Sequence, residues 1–235
     1  MLIMSKLIRA KYKKENDMIF ISHLDLQRLL QRAFRRAEIN LSYSQGFNPH
    51  PKMSYANALA LGTESQGEYV DIEIEDDISV EDFLQRINEE LPIGVEFIKA
   101  EEITPQTPAL AQEIVYGEYL FNIDLETPLS KELVKTRVLE FITSKSIMIS
   151  KKNKKGKIVE VDIRPMIKTF DLVALDDSRA TFEAIIATGS KANLNTNIFV
   201  PILLEILEIQ MDPKEVEIIR RDLYKIVDGE LVTPL

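Results

Sequence analysis

The chain contains no cysteine and no tryptophan, and only two histidines and eight glycines among its 235 residues. Without cysteine there is no disulfide framework, no thiolate zinc site, no thiol nucleophile and no Cys-ligated iron–sulfur cluster. No apolar run approaches the roughly 20 residues that span a bilayer. The start, Met1-Leu2-Ile3-Met4-Ser5-Lys6, is too short and charged too early for a signal peptide. Walker loops, Rossmann glycine patterns, nucleophile elbows and carboxylate metal clusters are all missing, and Gly189-Ser190-Lys191 is too short to read as a phosphate loop. No cofactor and no metal are therefore expected. What is present, 45% apolar and 29% charged residues, is too apolar for a disordered chain. The expectation is a soluble, cytoplasmic α+β protein with no membrane partner.

The net charge of −9 is unevenly distributed. Residues 1–53 carry a net +6, residues 54–148 a net −14 and residues 149–235 a net −1. A uniformly acidic protein argues against nucleic acid, but binding follows the local field, and the first fifth of this chain is basic.

Apolar alternation over residues 6–13 predicts a strand, and Leu26, Leu29, Leu30, Ala33, Phe34 and Ala37 mark one buried face of a helix over 24–38. Ser22 followed by Asp25 has the capping-box arrangement. An apolar stretch to Gly62, a strand at 68–75, a helix at 80–91 capped by Ser79 and a strand at 95–103 complete a β-α-β-β-α-β order. Thr104-Pro105-Gln106-Thr107-Pro108 is the best linker. Beyond it, strands at 118–125, 147–150, 158–163 and 180–187, helices at 131–143 and 195–209, and a last strand or mixed segment at 216–227 repeat a similar order. The fold expected is α+β, two ferredoxin-like (βαββαβ) units in tandem, with antiparallel sheets and helices packed on one face. They span 1–103 and 117–235, joined by 104–116. A single larger α+β sheet is the alternative.

Four features carry possible chemistry. On the helix over 24–38, Asp25, Arg28, Arg32, Arg35 and Arg36 fall in a sector of roughly 100° opposite the apolar face, a stripe that can grip phosphates or simply be a solvated surface. The segment Tyr43-Ser44-Gln45-Gly46-Phe47-Asn48-Pro49-His50-Pro51-Lys52 is stiffened by two prolines. Its Tyr43, Phe47 and His50 suit a stacking or docking surface, with Gln45, Asn48 and Lys52 as polar contacts; alternatively, Tyr43 and Phe47 pin the loop to the core. His23 and His50 are candidates for general acid–base work, with structural roles as the plainer reading. Five lysines in Lys151–Lys157 suit a hairpin tip that is either soluble ornament or a salt-sensitive phosphate contact. The nearby Asp162 and Arg164 form either an ion pair or part of a site.

Ser22-His23-Leu24-Asp25-Leu26, Arg35-Arg36-Ala37, the segment from Tyr43 to Lys52, and Glu68-Tyr69-Val70-Asp71 together resemble an uncharacterised bacterial family of radical-SAM-associated (radical-SAM-linked) proteins that carries a domain of unknown function. The resemblance extends through Val161-Asp162-Ile163-Arg164-Pro165 to Arg220-Arg221-Asp222-Leu223-Tyr224. It implies a radical SAM protein as partner, since some relatives are fused behind such a protein and others are encoded beside one. It also implies a setting near tRNA or rRNA modification. A radical SAM enzyme holds its cluster on three cysteines, which this chain lacks, so the resemblance implies an accessory to such an enzyme. The function expected is a non-catalytic RNA-binding accessory to a radical SAM enzyme. Two alternatives stand beside it: a metal-independent ribonuclease or RNA-modifying enzyme using His23 or His50, and a protein-interaction scaffold without RNA binding.

Overall fold

The computed structural model describes residues 5–152 and 156–235. In chain order its elements are β1 (Lys6–Lys14), α1 (His23–Arg36), β2 (Met53–Tyr55), β3 (Glu64–Ile74), α2 (Val80–Glu89), β4 (Val95–Ile103), α3 (Leu110–Glu113), β5 (Tyr116–Asp124), α4 (Lys131–Thr143), β6 (Met148–Lys152), β7 (Ile158–Asp162), β8 (Ile167–Leu175), β9 (Arg179–Ala187), α5 (Thr196–Leu207), β10 (Glu217–Val227) and β11 (Glu230–Val232). The class is mixed α+β with antiparallel strand pairing. Among the described residues no helix is long and apolar enough to cross a membrane.

The chain forms two compact units. One comprises the residues up to Ile114 together with Arg220–Leu235; the other is Val115–Ile219. The division at 103 and 117 expected from sequence differs at both ends. Leu110 and Ile114, inside the expected linker, are buried with Ala56, Tyr69 and Leu223, so that stretch packs as part of the first unit. The C-terminal residues also return to it, a pairing of distant segments that no local pattern reveals.

In the first unit the sheet runs β4-β1-β3-β10, with β2 also on β3 and β11 on β10. Ile8, Ala10 and Tyr12 of β1 and Val70, Ile72 and Ile74 of β3 meet Leu26, Leu30, Ala33 and Phe34 of α1 and Phe83 and Ile87 of α2 in one core. Phe34, Phe83 and Phe97 pack edge-on or tilted with centroids 5.8–6.1 Å apart, the offset geometry aromatic pairs prefer. Arg86 of α2 donates to the Ala37 carbonyl (2.6 Å) and the Glu38 carbonyl (2.6 Å), satisfying the orphan acceptors at the end of α1. At Gly67 a Cβ would lie 2.6 Å from the Arg221 carbonyl oxygen, so only glycine lets β3 and β10 approach there.

In the second unit β9 lies between β5 and β8, while β6 and β7 form a separate two-stranded hairpin. Phe141 of α4 and Phe199 of α5 are buried together with Phe121, Phe170 and Phe182 of the strands. Strand β8 falls where no strand is expected from the sequence. Pro201 sits inside α5. Residues 153–155, the centre of the lysine-rich turn, lie outside the described residues, as do Met1–Met4.

Candidate nucleic-acid interface

Helix α1 begins as its sequence predicts. Ser22 is the N-cap: its hydroxyl accepts from the Asp25 amide (3.1 Å) and donates to the Asp25 carboxylate (2.7 Å). Burying Leu26, Leu30, Ala33 and Phe34 turns Arg28, Arg32, Arg35 and Arg36 outward, and all four are exposed. They are not equivalent. Arg28 pairs with Asp25 (3.3 Å), and Arg36 pairs with the Glu90 carboxylate (2.8 Å) and its carbonyl (2.5 Å) at the end of α2. Among the described residues no acidic partner engages Arg32 or Arg35. Arg28, Arg32 and Arg36 line a groove of about 570 Å³ whose other wall is Glu89–Pro92. Arg35 faces a second groove, of about 350 Å³, with Gln31, Tyr43 and Glu75. The single stripe read from the helical wheel is thus two flanks, each with one unpaired guanidinium.

The loop from Tyr43 to Lys52 is closed at its base and open at its tip. Tyr43 bridges Pro51, the Ser44 amide donates to the His50 carbonyl (2.8 Å), and the His50 amide donates to the Ser44 hydroxyl (3.0 Å). The Lys52 amide donates to the Ser42 carbonyl (2.8 Å), and the Lys52 ammonium pairs with Glu73 (2.9 Å). Gly46 has φ +131° at the turn, a conformation glycine supplies without strain. Phe47 is 105% exposed and Tyr43 45% exposed, so neither aromatic is buried in the core. Gln45, Asn48 and His50 are exposed beside Phe47.

The two histidines occupy different environments. His50 is on the exposed loop. His23 packs edge-on against Tyr55 (centroids 5.1 Å) and borders a cavity of about 10 Å³ with Tyr12, Lys14, Asn57 and Glu68. That volume is about one water molecule, far below the roughly 300 Å³ of a ligand pocket. The Gln27 side-chain amide lies 2.9 Å from His23 Nε2. Burial, opposed by the charge of Glu68 and aided by that of Lys14, holds the imidazole below its usual pKa. Among the described residues no group of three or more acidic or histidine side chains could hold a metal ion.

Sequence reading missed the buried charges behind this surface. Arg220 donates from Nε (2.7 Å) and Nη2 (2.6 Å) to the two oxygens of Glu68, and Ser65 donates to the same carboxylate (2.6 Å). Arg9 is bidentate to Asp71 (2.7 and 2.9 Å) and also meets Glu113 (2.6 Å). Asp222 accepts from Tyr69 (2.6 Å) and Lys11 (2.6 Å). The available signal is Glu68-Tyr69-Val70-Asp71, charges set among apolar residues on a strand covered on both faces. Lys14, 3% exposed, donates to the Ile19 and Ile21 carbonyls, and burial lowers its pKa.

Arg164 is held by backbone carbonyls. It lies in the second unit, where its guanidinium donates to the Ile142 carbonyl (2.5 Å) at the end of α4 and to the Ile167 carbonyl (2.7 Å). Asp162 accepts from the Ile147 and Arg164 amides (2.8 and 3.0 Å), a turn-forming role.

An α+β protein with a solvated cationic helix face, a projecting aromatic loop and a core pinned by buried ion pairs is the class these observations define. The chain belongs to the family described as "uncharacterized protein conserved in bacteria (DUF2344)", whose model matches residues 7–196. No curated protein matches the sequence. Among solved structures, the chain is similar at 10% identity to the archaeal box H/ACA sRNP Nop10–Cbf5 complex, with TM-score 0.44, covering 92% of this chain and 46% of that one. It is also similar at 10% identity to a Cbf5–Nop10–Gar1 complex, with TM-score 0.48, covering 94% and 49%. A third match, an unknown protein from Galdieria sulphuraria, has TM-score 0.27 at 10% identity, covering 95% of this chain and 100% of that one. The chain spans about half the length of the first two.

Proposed function

We propose that this protein is an RNA-binding accessory that works with a radical SAM enzyme, and that α1 and the Tyr43–Lys52 loop form its binding surface. One observation carries the RNA reading: among the described residues Arg32 and Arg35 are exposed cations without acidic partners, on the same unit as a backbone-braced loop that holds Phe47 wholly in solvent. Cations that meet phosphates, beside aromatics that meet bases, are the two parts of a single-strand-binding surface. The partner assignment is supported by the resemblance of the Ser22–Leu26 and Tyr43–Lys52 segments and by the absence of cysteine, which leaves the cluster to another chain. The order β4-β1-β3-β2, with α1 and α2 as crossovers, supports a ferredoxin-like reading of the first unit. The hairpin β6–β7 is an addition to that plan in the second.

The test is affinity purification of the tagged protein from cells that make it, after ultraviolet crosslinking. The reading predicts labelled RNA on the protein, together with a co-purifying protein that carries iron–sulfur absorbance. RNA without that protein would remove the radical SAM partner. The partner without RNA would favour a scaffold.

A further inference from the structure

Resting on the RNA-binding reading above, we infer that the surface takes an unpaired nucleotide, stacked on Phe47, with a footprint of about two phosphates, and that it rejects duplex. Three features of the first unit carry this. First, Phe47 presents a ring 105% exposed at the tip of a loop, and a free ring face can stack only on a base that has left its own stack. In an A-form duplex the bases are enclosed, and the accessible edge is a shallow groove of hydroxyls that a phenyl ring cannot hydrogen-bond.

Second, the loop is held before any ligand arrives. The Tyr43–Pro51 bridge, the Ser44–His50 pair and the Lys52–Ser42 bond fix its base, so stacking on Phe47 requires little further ordering of the chain. Gln45, Asn48 and His50 are exposed on the same loop, and among the described residues no hydrogen bond engages their side chains. They are donors and acceptors placed for the edges of a base that has been splayed out.

Third, the cation supply is short. Asp25 neutralises Arg28, Glu90 neutralises Arg36 and Glu73 neutralises Lys52. Arg32 and Arg35 remain. Beyond Arg35, Glu38 and Glu75 line the same groove, so a backbone running that way meets carboxylates. Two phosphate contacts on a single strand correspond to about a sevenfold loss of affinity between 50 and 200 mM salt, against the roughly thousandfold or greater loss of a protein that grips six or more phosphates of a duplex.

The experiment compares three labelled RNAs with the full-length protein by fluorescence anisotropy: a 12-nucleotide single strand, a blunt duplex of equal length and a hairpin with an unpaired loop. The single strand and the hairpin should bind, and the duplex should bind at least about fivefold more weakly. Phe47→Ala should weaken single-strand binding by about 5- to 150-fold, and Phe47→Trp should retain it. Because the chain has no other tryptophan, the F47W protein also reports stacking directly, as quenching of its emission by the single strand. Equal binding of duplex and single strand, or an F47A protein that binds like the wild type, would overturn the inference and leave the RNA reading standing. Failure of every RNA to bind at low salt would overturn both.

Discussion

The bond between Arg220 and Glu68 shows what a single residue does in this protein. Both side chains are nearly inaccessible, 2% and 6% exposed, and each is the other's counter-charge. Removing one leaves an uncompensated buried ion, which is far more damaging than removing both. Arg220→Ala should therefore destabilise the protein by about 3–5 kcal/mol, whereas the double replacement Glu68→Leu with Arg220→Met should cost much less. Urea unfolding checks both, and equal losses would contradict a charge-pairing account. His23 gives the pH counterpart. Burial holds its folded pKa below the ordinary 6.5, so the fold prefers neutral imidazole. Below that value the unfolded chain binds the proton more readily, and stability present above about pH 6.5 falls away as the pH drops. The stability of wild type relative to His23→Gln should thus decline between about pH 7.5 and about pH 5, and a relative stability that rises on acidification would refute the assignment.

At the scale of the element, α1 is the most legible part of the chain. Its cap, its apolar spacing and its cationic flank all appear within Ser22 and the fourteen residues that follow, and the helix runs His23–Arg36. Ser22→Ala removes the oxygen that accepts from the Asp25 amide and should cost about 1 kcal/mol in thermal or urea unfolding; no change would mean that the cap is idle. The loop after it was only half legible. The prolines announce stiffness, but whether Phe47 turns inward or outward depends on packing that the segment itself does not encode. Strand β8 was illegible for a definite reason. Its register slips between Ile167 and Thr169 and again between Leu172 and Ala174, so Ile167 and Phe170 are buried three residues apart and the two-residue period is lost. Helix α3 has four residues, too few for any periodicity to show, although Leu110 is fully buried.

Across the whole molecule, the limit on sequence reading is distance along the chain. Glu68 and Arg220 are 152 residues apart, and Lys11 and Asp222 are 211 apart. A reading that divides the chain linearly assigns Arg220–Leu235 to the second unit, while these contacts tie it to the first. A chain ending at Ile219 loses Arg220, Asp222 and Leu223, so Glu68 is left without its cation. Hydrogen exchange should then show lost protection along β3, and unchanged protection would contradict the role given to the C-terminal strand. The charge distribution is resolved on the same scale. The acidic middle segment does reach the basic helix, through Glu90 on Arg36, but among the described residues it makes no ion pair with Arg32 or Arg35.

Those two arginines concentrate the functional claim, and a salt titration of RNA binding tests it most directly. Wild-type protein should bind a single-stranded RNA with log K falling against log salt at a slope of about −1.4, and Arg32→Glu with Arg35→Glu should abolish binding at low salt while the unfolding midpoint stays unchanged. Undiminished binding by that folded variant, or none by the wild type, would contradict it.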